Sequence, residues 1–112
     1  MFKVSLLYPH DENKRFDIEY YVHSHAPWAR KPMEPALKGF EIEQGVSGLE
    51  PDSNPTHVAA AHLYFDSVEE FKSSYGQNAS EIQKDIPNFT DIQPVRQVSV
   101  VKDTAVPKSE NR

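Results

Sequence analysis

The stretch Phe16-Asp17-Ile18-Glu19-Tyr20-Tyr21-Val22-His23-Ser24-His25-Ala26-Pro27-Trp28 carries the reading of this chain. Ile18, Tyr21, Val22 and His25 stand at i, i+3, i+4 and i+7, the spacing of a helix face turned toward a core. Asp17 suits the N-cap, and Glu19 lies favourably in the first turn. Phe16 and Tyr21 then occupy the two positions of a hydrophobic staple. Pro27 is expected to end the helix near His25 or Ala26. The buried stripe thus closes on an ionisable ring beside a tyrosine, and any ligand is expected there. His23 is rotated roughly 200° from His25. It is expected in solvent, with Glu19 as a surface partner.

Outward from this helix, the alternation splits the chain into strands and further helices. Phe2, Val4, Leu6 and Tyr8 alternate with Lys3 and Ser5 in a strand that ends at Pro9. Pro32 and Pro35 limit Ala29 to Leu37 to a short turn of helix at most. Phe40, Ile42, Gln44 and Val46 alternate with Glu41 and Glu43 in a second strand. Residues 47–55 hold Gly48, Pro51, Asp52, Ser53 and Asn54 and read as a loop. Val58 to Phe65 form the third strand. Neither of its faces is strongly polar, which predicts a central position. Ser67-Val68-Glu69-Glu70 is a capping box for a helix with Val68, Phe71 and Tyr75 on its buried side, and Gly76 fits its end. Asn78 with Glu81 suggests the cap of a second, short helix bearing Ala79, Ile82 and Ile86, closed by Pro87. Ile92 to Val101 is the last strand, with Pro94 near its start.

The order β-α-β-β-α-α-β predicts an α+β fold, a ferredoxin-like split βαβ sandwich over residues 1–101. Residues 102–112 are predicted to form a disordered polar tail. Helices on one side of the sheet leave the other side open, and a partly apolar open face needs a cover. The chain has 112 residues and a hydrophobic share of 38%, enough for one domain with a modest core. Both features point to a homodimer. The net charge is −5, and the twelve basic residues are scattered, which argues against nucleic acid and anionic membrane as partners. With no cysteine there is no disulfide, thiolate nucleophile or thiolate-ligated metal. No signal peptide or membrane-spanning run is legible, so a cytoplasmic protein is expected.

The combination of Tyr8-Pro9, Phe16-Asp17-x-x-Tyr20-Tyr21-x-x-x-His25-x-Pro27, the run Ala60-Ala61-His62-Leu63-Tyr64-Phe65-Asp66-Ser67 with Glu69 and Phe71, and Asn88-Phe89-Thr90-Asp91 resembles the EthD-like family. That family is named for a protein of bacterial ethyl tert-butyl ether degradation. The resemblance spans about Phe2 to Val101. It implies a dimeric α+β barrel. For chemistry it implies only a range: cofactor-free monooxygenases, lactone isomerases, dehydratases and members without known activity. Trp28 departs from the family pattern, which has Leu after His-x-Pro, and so bears on the mouth of a pocket.

His25 is the candidate catalytic residue, because imidazole titrates near neutral pH and exchanges protons readily. Its plainer role is a helix-end histidine that meets the last carbonyls and the dipole. Tyr21, one turn earlier, is a candidate for orienting a substrate oxygen, or else a core tyrosine with a satisfied hydroxyl. His62 and Tyr64 share one face of the third strand, with small Ala60 leaving space beside them. They are candidate substrate contacts together with Trp28. The expected site lies between the helix ending at His25 and the sheet around His62 and Tyr64. No metal site is expected: His23 and His25 diverge, His57 and His62 fall on opposite strand faces, and no H-x-x-x-H occurs. Neither a phosphate-binding loop nor a G-x-S-x-G elbow is present, and no cofactor is expected. Two functions follow: proton-transfer or cofactor-free chemistry on a small organic compound in catabolism, or a non-catalytic dimeric binding protein.

Overall fold

The computed structural model describes residues 1–105. Four strands, β1 (Phe2–Pro9), β2 (Gly39–Gln44), β3 (His57–Phe65) and β4 (Val95–Val100), form one sheet in the order β2-β3-β1-β4. Every pairing is antiparallel. This is the strand order of a split βαβ sandwich, with β3 and β1 central as the weak polarity of β3 predicts. β4 starts at Val95, three residues later than the sequence suggests. Pro94 has no N–H to give a ladder. Ile92 is instead buried in the core. β2 likewise stops at Gln44, leaving Val46 in solvent.

The first helical arm follows the predicted capping. Asp17 accepts a hydrogen bond from the Tyr20 N–H at 3.1 Å, and the Phe16 and Tyr21 rings meet edge-on at 5.2 Å. The arm comprises α1 (Ile18–Tyr20), a π-helical turn (Tyr21–His25) and α2 (Ala26–Arg30), and runs into a 3₁₀ turn (Lys31–Met33). The expectation that Pro27 ends this helix is therefore wrong. In a regular helix the Pro27 ring clashes with the carbonyl one turn back. Here the Ala26 N–H reaches back five residues to the Tyr21 carbonyl. The wider turn lets the proline enter as one of the first residues of α2. Beyond α2, Lys31 to Met33 form only a short 3₁₀ turn, as Pro32 and Pro35 suggest, and Met33 is buried.

α3 (Val68–Gly76) is capped by Ser67, whose Oγ accepts from the Glu70 N–H at 3.2 Å. α4 (Ala79–Asp85) begins after Asn78, whose side chain makes no capping bond. Gly76 ends α3 without a left-handed turn. All helices lie on one face of the sheet. The strand register puts Val4, Tyr8, Ala59, Ala61, Leu63 and Phe65 on that covered face, and they are all buried. Lys3, Ser5, Leu7, Ala60, His62 and Tyr64 point to the opposite face, on which no helix of the described residues packs, although the small Ser5 and Ala60 are themselves buried. Lys102 to Ala105 are exposed coil, and the rest of the predicted tail lies outside the described residues.

Candidate functional site

The Asn88-Phe89-Thr90-Asp91 segment locks the first helical arm to the end of α4. The Phe89 carbonyl accepts the Asp17 N–H at 2.8 Å, and the Thr90 hydroxyl donates to the Arg15 carbonyl at 2.7 Å. Phe89 has no exposed surface. Its ring packs among Tyr8, Phe16, Tyr20, Tyr21 and His25, with the His25 ring closest at 4.7 Å. This cluster brings the end of α4 against the π-helical turn.

At that junction His25, 6% exposed, meets Asp85. The His25 Nδ1–H donates to Asp85 Oδ2 at 2.8 Å. A carboxylate only accepts at this separation, so the network assigns the imidazole proton to Nδ1 and leaves Nε2 free for a ligand. Asp85 Oδ1 accepts from the Tyr20 hydroxyl and from the Asn88 amide, both at 2.8 Å. Desolvation alone raises the Asp85 pKa. The hydrogen bonds from Asn88, His25 and Tyr20, with the charge of His25, outweigh it and hold the carboxyl below its ordinary range. The bond to Asp85 in turn pushes the Tyr20 phenol up.

His25 forms part of the wall of a cavity of about 210 Å³ between the sheet and the helices. Val4, Leu6, Phe40, Ala61 and Leu63 make the sheet side, and Ala26, Ala29, Met33, Phe71, Tyr75 and Ile82 the helix side. An apolar cavity of 150 Å³ is enough to hold benzene, so this one suits a compact aromatic or oxygenated molecule. Tyr21 also lines it and stacks on His25 at 5.7 Å. Its hydroxyl, however, interacts with that of Tyr8 in the core, and burial raises both phenols, Tyr8 to about 12. Tyr21 is therefore a wall and a stacking partner more than a proton donor. Trp28 is 48% exposed and sits outside the cavity lining, its ring 6.0 Å from His25.

His62 and Tyr64 do not join this site. The expected cluster of His25 with His62 and Tyr64 is corrected by the register: both point to the open face, on the far side of the sheet from His25. Alternation leaves the facing of a central strand ambiguous when both sets are largely apolar. Tyr64 donates to Glu41 at 3.1 Å. His62 Nδ1 faces the Ser5 hydroxyl at 2.9 Å, and its Nε2 lies 3.4 Å from Glu43 Oε2. This is the residue set of a serine nucleophile, but Ser5 lies on a strand paired on both sides. The neighbouring N–H groups belong to ladders, so no oxyanion hole is available. A polar cleft beside it includes His57, Glu43 and His62.

The residues missed by sequence reasoning are Asp85, Tyr20 and Asn88. Asp85 falls at i+3 from Ile82 and directly before Ile86. An acid on an apolar helix stripe is the same signal that singles out His25.

Layering and strand order make this a ferredoxin-like α+β protein with a histidine-bearing cavity between sheet and helices. Within that class the chain belongs to the EthD family: the EthD domain model matches residues 10–93. It is similar to the crystal structure of an EthD-like protein of Ralstonia eutropha JMP134, at 35% identity over 92% of this chain and 95% of that one, with a TM-score of 0.85. An ethyl tert-butyl ether degradation family protein of Bacillus halodurans C-125 matches at 20% identity over 87% of this chain and 98% of that one, with a TM-score of 0.56. A protein of Arabidopsis thaliana shares the fold at 14% identity, covering 94% of this chain and 98% of that one, with a TM-score of 0.61. No curated protein matches the chain. No helix among the described residues is long and apolar enough to cross a membrane.

Proposed function

We propose that this protein binds a small organic compound in the cavity and transfers a proton to or from it through His25 Nε2. Dehydration, isomerisation and cofactor-free oxygenation of a catabolic intermediate all use such a step. The observation that carries this reading is a buried imidazole at the wall of an apolar cavity with a carboxylate on its other nitrogen. Asp85 fixes the tautomer and ring orientation and stabilises the charge when Nε2 takes a proton. The surrounding apolar wall strengthens that interaction by excluding water. A relative belonging to the ethyl tert-butyl ether degradation family fits a role in catabolism.

The working unit in this reading is a homodimer, with the open sheet faces of two copies packed together as a dimeric barrel. Support comes from Leu7, Ala60 and Val95, neighbours on that face, of which Val95 is 52% exposed. One observation favours the second reading, a non-catalytic binding protein: with the Tyr21 hydroxyl turned to Tyr8, His25 is the one imidazole among the described residues that line the cavity, and no carboxylate lines it beside that ring. Compounds from a panel of compact oxygenated aromatics should shift the His25 ring resonances. On a compound that turns over, His25→Gln should bind it but not convert it, because an amide hydrogen-bonds without shuttling a proton. A panel that leaves the His25 ring unmoved defeats the site, and equal turnover by His25→Gln defeats the catalytic role.

A further inference from the structure

We propose that the cavity selects an apolar molecule bearing one oxyanion, in the simplest case a carboxylate, and that Arg96 pairs with that charge at the mouth. The proposal rests on the ligand-binding reading of the same cavity and adds the class of ligand.

The charge of the wall is the first observation. The chain carries 17 acidic and 12 basic residues. Yet among the described residues the charged side chains lining the cavity are Arg30 and Arg96, and no carboxylate lines it. A wall of that sign in an acidic protein disfavours a cationic ligand and favours an anion.

The second observation distinguishes the two arginines. The Arg30 guanidinium lies over the Phe40 ring at 5.0 Å and 4.0 Å from Glu34, so it is already engaged. Arg96 forms no ion pair or hydrogen bond with any described residue. It stands on edge strand β4 opposite Leu6, on the helix-covered face, and is exposed. Its stem therefore runs along the cavity wall while its head meets solvent, the arrangement expected of a long basic side chain at an apolar rim.

The third observation is where the cavity opens. Val98, the next residue of β4 on this face, also lines it and is 50% exposed. A ligand entering at this edge can bury an apolar body against Leu6 and Ala61 and leave its charge at the rim. A carboxylate there receives two parallel N–H bonds from a guanidinium, a geometry that lysine cannot reproduce. His25 lies on the helix side of the same cavity and Arg96 on its sheet edge.

Phenylacetate, phenethyl alcohol and phenethylamine give matched probes of this selection, read by calorimetry on the full chain. Phenylacetate should bind about tenfold more tightly than the alcohol, with the amine weakest. Arg96→Gln should remove that preference and leave the alcohol unchanged, Arg96→Lys should keep part of it, and higher salt should shrink it. His25→Gln should leave the preference intact. Arg96 is exposed on an edge strand, so its replacement does not threaten the core. Equal binding of acid and alcohol overturns the anion selection and leaves the cavity reading standing. A preference that survives Arg96→Gln overturns the pairing of the anion with Arg96. Failure of all three probes to bind overturns both.

Discussion

The two faces of the sheet each hold a histidine in contact with a carboxylate, and they do different things with it. On the covered face, His25 and Asp85 are 2.8 Å apart, with side chains 8% and 17% exposed, beside an apolar cavity. On the open face, His62 and Glu43 are 3.4 Å apart, and the Glu43 side chain is 61% exposed. Water screens the second pair, and Glu43 carries little orientation. The first pair is fixed by Tyr20 and Asn88 on the far oxygen of the acid. Two similar residue pairs thus acquire different roles from burial and from the groups behind the acid.

The largest expected effect on this contrast comes from Phe89. It is fully buried and seats both sides of the His25–Asp85 junction. Phe89→Ala should cost about 3–5 kcal/mol of stability, as ring deletions in close-packed cores do. Tyr64→Ala on the open face should cost the folded chain far less, since its hydroxyl contact is to exposed Glu41. Chemical denaturation of both variants checks the difference. Similar losses would mean that the open face belongs to the same packed unit.

Asp85→Asn tests the pair itself. The Asp85 carboxyl is held below its ordinary value in the folded state. Its contribution to stability is therefore present above the unfolded pKa, about 3.9, and is lost as pH falls through the lower folded value. Asp85→Asn should flatten that acid limb and destabilise the fold by about 1–3 kcal/mol at neutral pH, because the bonds to His25, Tyr20 and Asn88 are weakened or lost. It should also free His25 to take the other tautomer, visible in the nitrogen shifts of the ring. Glu43→Gln should do neither. An acid limb that survives Asp85→Asn would assign it to another carboxylate.

Much of this fold is legible because it is set locally. Asp17, Ser67, the staple of Phe16 on Tyr21 and the alternation of β1 and β3 each act within a few residues, and each performs in the structure as its chemistry predicts. Two features escape regular patterning. The passage of the helix through Pro27 depends on a backbone bond reaching back five residues, which a regular helical period does not encode. The facing of His62 and Tyr64 depends on which side of β3 the helices cover, and Ala59 and Ala61 against Ala60 give no strong preference. Asp85 stood in view on the stripe of Ile82 and Ile86. Its meaning required knowing that Asn88 to Asp91 fold back onto the first helical arm, a contact between residues more than 70 apart.

The open face should show its purpose in association more than in folding. Val95 lies beside Leu7 there, half in solvent. Val95→Asp places a charge on a surface that the proposed dimer buries. Light scattering at micromolar concentration should find the wild type as a dimer and Val95→Asp shifted to monomer, with the cavity still binding its probes. A wild-type chain of monomeric mass would defeat the dimer. A dimer that persists in Val95→Asp would place the contact elsewhere.

The smallest effect, and the sharpest control, lies within one turn of helix. His23 and His25 differ by two residues, yet His23 is exposed and pairs with Glu19 at 3.4 Å, where the two side chains are 71% and 80% exposed. Such an i, i+4 pair contributes about 0.3–0.5 kcal/mol at most and is screened by salt. His23→Ala should therefore change stability by no more than a few tenths of a kcal/mol, and less again in high salt. His25→Ala removes a ring that stacks on Tyr21, meets the edge of Phe89 and donates to Asp85. It leaves that carboxylate short of a partner and opens a void at the cavity wall, so it should cost about 1–3 kcal/mol or more. Thermal melts of the two variants at neutral pH separate these expectations directly. If His23→Ala proves the costlier change, the π-helical turn does not present His25 to the cavity, and the contrast between the two faces of the sheet loses its covered-face histidine.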